Sequence, residues 1–91
     1  MIVSFRCTET EKIFEGKHSR KFGAIQRAAF RKLVMLHAVK TLSDLAGAGN
    51  SLEALTEDRK GQHAIRISLK YRLCFVWLDG NAGEVEIVDY H

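Results

Sequence analysis

The sequence predicts an α+β fold, a small antiparallel β-sheet packed by helices from the N-terminal half. Three observations predict it. Residues 24–39 repeat apolar side chains at steps of three and four, residues 62–90 switch to a period of two, and an Asp/Asn/Gly-rich run at 79–83 divides the strands as a hairpin turn would. At 91 residues the chain suffices for one compact domain spanning 1–91 and is too short for two.

Ile2-Val3-Ser4-Phe5 is a short apolar run of β-favouring residues and predicts a first strand. Thr8 with Glu11 three positions later matches a capping box, so a short helix should follow, with Ile13 and Phe14 as its apolar part and Gly16 as its end. Residues 16–23, GKHSRKFG, are basic and bounded by glycines, which reads as a loop. Ile25, Ala28, Ala29, Leu33, Leu36 and Val39 then form the stripe of the main helix, with Arg27, Arg31, Lys32 and Lys40 mostly off it. Thr41 to Leu45 reads as one further turn, and AGAGNS as a loop. Ser51–Leu55 fits a short strand, Asp58 to Gly61 a turn, and HAIRISL a strand with Ile65, Ile67 and Leu69 on one face. In Tyr71 to Leu78, Tyr71, Leu73, Phe75 and Trp77 share a side, and Arg72 and Cys74 lie on the other. In the last strand Val85, Ile87, Asp89 and His91 point one way, and Glu86, Val88 and Tyr90 the other.

Composition narrows the function. Apolar residues make up 46% of the chain and aromatics 9%, an ordinary globular mixture. No apolar run approaches the roughly 20 residues of a membrane span, and the first residues lack the apolar core of a signal peptide, so a cytoplasmic protein with no membrane association is expected. Cys7 and Cys74 stand alone in strand-like sequence, which favours buried free thiols over a disulfide. His18, His37, His63 and His91 form no metal-ligand spacing, so neither metal nor cofactor is expected. The net charge of +3 is unevenly spread: residues 1–40 hold nine Lys/Arg against three Asp/Glu, and residues 41–91 five against eight. That asymmetry suits a polyanion-binding surface in the first half, although a solvated helix face explains many such runs.

The last residues, EIVDYH, put an acid, a phenol and an imidazole together. His91 can exchange protons near neutral pH, and Asp89 is spaced to orient it. Arg72 offers a fixed donor fork suited to a phosphate. With Tyr90 these make a metal-free set for moving a phosphodiester, and RNA is the substrate it suits because the ribose 2′-OH is an internal nucleophile. The plainer alternative is a strand end facing water, with Arg72 in a cross-strand ion pair. His63 reads either as a polar edge residue or as packed against Tyr71. Glu53 reads as a solvated charge near the rim of a cleft, and Phe75 and Trp77 as core.

The segments MIVSF, GAIQRAAFRKLVMLHAV, SLEALTEDRKGQHAIRISLKYRLCFVW and the closing EIVDYH resemble the HigB group of the RelE superfamily, small mRNA interferases of toxin–antitoxin modules, in its plasmid-maintenance-killer-like subgroup. The resemblance implies a RelE-like fold, cleavage of mRNA on the ribosome and neutralisation by a HigA-like helix-turn-helix antitoxin from an adjacent gene. It implies Arg72, Asp89, Tyr90 and His91 as catalytic residues and Arg59 and Lys60 as RNA contacts, to which Arg20, Lys21 and Arg66 are added as basic candidates. The chain also departs from the family pattern. Glu53 stands where other members carry a catalytic histidine, and Thr56 where they carry a lysine. Glu53 is therefore a candidate replacement base, and a weakened nuclease or a growth inhibitor that acts by binding the ribosome is the alternative reading.

Overall fold

A computed structural model describes residues 1–47 and 49–89. Two helices, α1 (Thr8–Phe14) and α2 (Gln26–Ala38), precede four strands, β1 (Glu53–Ala54), β2 (Gln62–Arg66), β3 (Tyr71–Leu78) and β4 (Asn81–Asp89). The strands form one antiparallel sheet in the order β1-β2-β3-β4. The expected α+β architecture is the one found.

Register divides the sheet into two faces. Ile65, Leu73 and Ile87 are directly opposed, and these three pack with Ala29, Leu33 and Leu36 of α2 and Ile13 of α1 in one buried cluster. Burying an aliphatic side chain of this kind stabilises by about 1.5–3 kcal/mol, so this seam sets the orientation of the helical layer. The next residue on each strand falls on the other face. One row there runs Glu53, Ala64, Cys74, Glu86, and a second runs Arg66, Arg72, Val88.

Residues 2–5 do not form the predicted sheet strand. They make two isolated parallel bridges to β4, Ile2 to Ala82 and Phe5 to Val85. Between the bridges Glu84 has φ of +49°, and its N–H donates to Ser4 Oγ at 2.8 Å instead of continuing a backbone ladder. The Thr8–Glu11 capping box is also absent: Thr8 is the first helical residue, after a Cys7 N-cap that makes no side-chain bond. A capping box does form at Thr41 and Asp44, heading the 3₁₀ turn Leu42–Leu45, and the Thr41 N–H holds the Asp44 carboxyl below its usual pKa.

Leu69 is 86% exposed rather than aligned with Ile65 and Ile67. Ser68 Oγ accepts from both Lys70 N and Tyr71 N, and this turn ends the alternation after Arg66. The hairpin turn is shorter than the glycine-rich run suggested. Asp79 and Gly80, with φ of +53° and +79°, form a two-residue turn whose twist suits a hairpin, and Asn81 to Gly83 already belong to β4. Trp77 is only half-buried, edge-on to Phe75. Asn50, read as plain loop, is 1% exposed: its side chain donates to Leu45 O at 3.1 Å and accepts from Lys32 Nζ at 2.6 Å.

Thr10 is fully buried, and its Oγ1 accepts the Ile87 N–H at 3.1 Å. Thr10→Val keeps the shape and strands that donor, so it should destabilise the fold by about 1–3 kcal/mol. Urea unfolding of the two proteins measures this; equal midpoints would mean that water or a shifted backbone satisfies Ile87.

Candidate functional site

Of the residues singled out from sequence, the face of the sheet turned away from the helices carries Glu53, Arg59, Arg66 and Arg72. Its floor is made of small side chains. Ala64 and Cys74 lie in the centre of the row, and both are buried although no helix covers them. The cover is Arg59. From the 3₁₀ turn Glu57–Arg59, its Nη1 donates to Gln62 Oε1 at 3.0 Å and to Glu86 Oε2 at 3.0 Å, so the side chain spans from β2 to β4. A larger residue at 64 or 74 would block that path. Glu86 is also approached by Arg6 Nε at 3.9 Å, which leaves its carboxylate between two guanidinium groups. Burial raises the Cys74 thiol pKa, and the nearby Arg59 charge opposes part of that rise.

Arg66 and Arg72 are direct cross-strand partners at the other end of this face. Two guanidinium groups so opposed concentrate positive charge at this end of the face. Arg72 is half-buried, and its Nη1 donates to Ser68 O at 3.2 Å, which directs the guanidinium toward the β2–β3 turn. Four arginines, Arg6, Arg59, Arg66 and Arg72, therefore flank an acidic centre of Glu53 and Glu86. Glu53 is half-buried in β1, opposite Ala64.

Asp89 is placed differently. It opposes Tyr71, on the helix-side face, and Lys70 Nζ lies 3.7 Å from its Oδ2. Arg72 and Asp89 thus sit at the same end of the sheet, one register step apart, on opposite faces. Tyr90 and His91 lie outside the described residues.

The basic loop reaches this end as well. Lys21 Nζ sits 5.3 Å above the Phe22 ring, Phe22 meets the Tyr71 ring edge-on at 5.6 Å, and Lys70 Nζ is 5.4 Å from that same ring. Arg20 and Lys21 are exposed, as is Lys60 beside the Arg59 strap. The loop is pinned by buried Ser19, whose Oγ donates to Glu9 Oε1 at 2.9 Å; hydrogen bonds from Lys12 and Ser19 lower the Glu9 pKa. His63 stacks on Phe75 at 6.2 Å and not on Tyr71. Both cysteines are free, and among the described residues no group of three His, Cys, Asp or Glu side chains is placed to hold a metal ion. Likewise no described helix is long and apolar enough to cross a membrane.

Sequence reading missed Lys70 and Gln62 as partners of site residues. Strand alternation had already placed Glu86 on the face of Arg72, but the reach of Arg59 across two strands has no local signature.

An α+β sheet with a cationic open face and a charged strand end fits a small toxin of the RelE type, and the chain belongs to that class. Residues 3–91 match the family described as RelE-like toxin of type II toxin–antitoxin system HigB. Among individual relatives, the chain is 38% identical to Toxin HigB-1 of Vibrio cholerae serotype O1, across 90% of both chains. A solved structure, the YoeB-YefM complex from Staphylococcus aureus, shares the fold at a TM-score of 0.56 and 14% identity, over 100% of this chain and 98% of that one.

If Arg59 is the cover of the sheet centre, Arg59→Ala should make Cys74 reactive. In a Cys7→Ser background, modification by a soluble aromatic disulfide should be slow with Arg59 and fast without it. Losing the guanidinium charge alone would push the thiol pKa up, but relief of burial, the largest influence on it, works the other way and should dominate. Unchanged reactivity would show that another group shields the thiol.

Proposed function

We propose that this toxin cleaves mRNA on the ribosome by metal-free acid–base chemistry and is neutralised by a helix-turn-helix antitoxin encoded beside it. The observation that carries the reading is the opposed Arg66–Arg72 pair at the end of the open face, one register step from Asp89. A phosphodiester laid across this end of the sheet would lie beside both guanidinium groups and within reach of groups on both faces. The ribose 2′-OH loses its proton to a base and attacks phosphorus, the bond to the 5′-oxygen breaks, and that oxygen takes a proton from an acid. The products are a 2′,3′-cyclic phosphate and a free 5′-hydroxyl. His91, oriented by Asp89, and Tyr90 are the proton-handling groups in this scheme, and Arg72 offsets the charge that develops on phosphorus. Lys70, held near Asp89, adds positive charge where the scissile phosphate would pass. Arg20, Lys21, Arg59, Lys60 and Arg66 would bind flanking phosphates, so affinity for ribosomes should fall steeply with salt.

One observation favours a second reading. Glu53 lies in the same row as Glu86, and two carboxylates on the face that would meet RNA repel phosphate. A toxin so built would cleave slowly and inhibit growth largely by occupying the ribosome. Glu53 would then act as a weak replacement base or not at all.

Single-turnover cleavage of a ribosome-bound message separates the two. Deleting His91 should slow cleavage by about 10² to 10⁴ with ribosome affinity kept. Arg72→Ala should slow it by roughly 10² to 10³ without changing the shape of the pH profile. If the His91 deletion cleaves as fast as wild type at every pH between about 5.5 and 8.5, where an imidazole titrates, the binding-only reading replaces the nuclease.

A further inference from the structure

The helical layer carries a second surface that the proposed chemistry does not use. A groove of about 410 Å³ runs between α1 and α2, lined by Ile13, Gly16, Gln26, Arg27, Phe30 and Arg31. Phe30 is 41% exposed and Val34, one turn further along α2, is 44% exposed. Arg27 and Arg31 repeat at the same one-turn spacing, and among the described residues neither is ion-paired. The groove is preformed: Gln26 spends its side chain on the basic loop, accepting from Ser19 N at 2.9 Å and donating to Lys17 O at 2.8 Å. Gly16, at φ of +82°, ends α1 and leaves open space where a Cβ would stand, so one wall is low.

We propose that this groove is the docking site for an amphipathic helix of the antitoxin, with apolar side chains against Phe30 and Val34 and carboxylates one turn apart facing Arg27 and Arg31. The inference rests on the toxin–antitoxin reading above and adds the surface and the chemistry of its partner. Cations at i and i+4 match anions at i and i+4 on a second helix, since both repeats have the same rise. The apolar residues decide between partners. A ribose-phosphate backbone would meet the arginines but leave Phe30 and Val34 in water, whereas a helix with one apolar and one acidic face satisfies both rows. The 13 residues of α2 give about 20 Å of contact, three to four turns of a partner helix. The groove belongs to the helical layer, on the other side of the sheet from Arg66 and Arg72.

The test uses the full chain and the product of the adjacent gene. Two double variants are compared with wild type, Arg27→Glu with Arg31→Glu, and Phe30→Ala with Val34→Ala. Binding to the purified gene product is followed by titration calorimetry at two salt concentrations, and growth by co-expression. Both variants should still arrest growth when expressed alone, bind the gene product roughly ten- to a hundredfold more weakly, and need more of it for rescue. The arginine variant should also lose most of the salt dependence of binding. Should the apolar variant fail to fold, as judged by circular dichroism, the arginine variant decides alone. Wild-type affinity in the folded variants overturns the proposal, and wild-type affinity joined to loss of ribosome binding assigns the groove to RNA instead. If the gene product does not neutralise even the wild type, the toxin–antitoxin reading itself falls, and the docking proposal with it.

Discussion

Residues 1–10 close the outer edge of β4, and the arrangement of both faces of the sheet depends on that closure. An edge strand presents a row of unsatisfied donors and acceptors. Here Val3 N and Arg6 N donate to Ala82 O and Val85 O, Ala82 N and Val85 N donate to Met1 O and Ser4 O, and the side chains of Ser4 and Thr10 take the N–H groups of Glu84 and Ile87. The segment is tied at its other side by Ile2 N donating to His37 Nδ1 at 3.1 Å. Held between sheet edge and α2, the N-terminal segment brings α1 over β4 and commits one face to the core. The opposite face is left for chemistry.

What that open face can do follows from the size of its central side chains. Because Ala64 and Cys74 are small, Arg59 can lie across them to Glu86, and the sheet centre is closed by charge rather than by an apolar lid. The tie pairs Arg59 with Glu86, while Arg66 and Arg72 stand opposite one another at the other end of the face. Arg59 is therefore a structural strap first, and its proposed contact with RNA must compete with a carboxylate already in place. The exposed Lys60 next to it carries no such tie to a described carboxylate.

Much of this was legible in the chain because local rules sufficed. The period of three and four marked α2, alternation assigned Leu73 and Arg72 to opposite faces of β3, and the run at 79–83 marked the hairpin, though its last three residues belong to β4. What escaped was long-range or competitive. The pairing of residues 2–5 with β4 joins positions about 80 apart in the chain, and no local pattern shows that it is broken by a left-handed Glu84. Thr8 and Thr41 both head cap-like motifs, yet only Thr41 is used as one, since Cys7 takes the N-cap position before the first helix. The irregularity between Cys74 and Val76 shifts the β3–β4 register where simple alternation would have run on. For the site, the sequence grouped Arg72 with Asp89 in one set, whereas the register puts them at one end of the sheet on opposite faces, and the approach of Lys70 to Asp89 depends on the Ser68 turn, which the smooth alternation of HAIRISL concealed.

The central claim is that the charged end of this sheet directs a 2′-OH attack on a message held by the ribosome. Mapping of RNA 5′ ends after brief induction of the toxin alone tests it most directly. New 5′-hydroxyl ends inside translated reading frames, absent when translation is blocked and absent with the Arg72→Ala protein, are the predicted result. Growth arrest with no new ends in messages would contradict it.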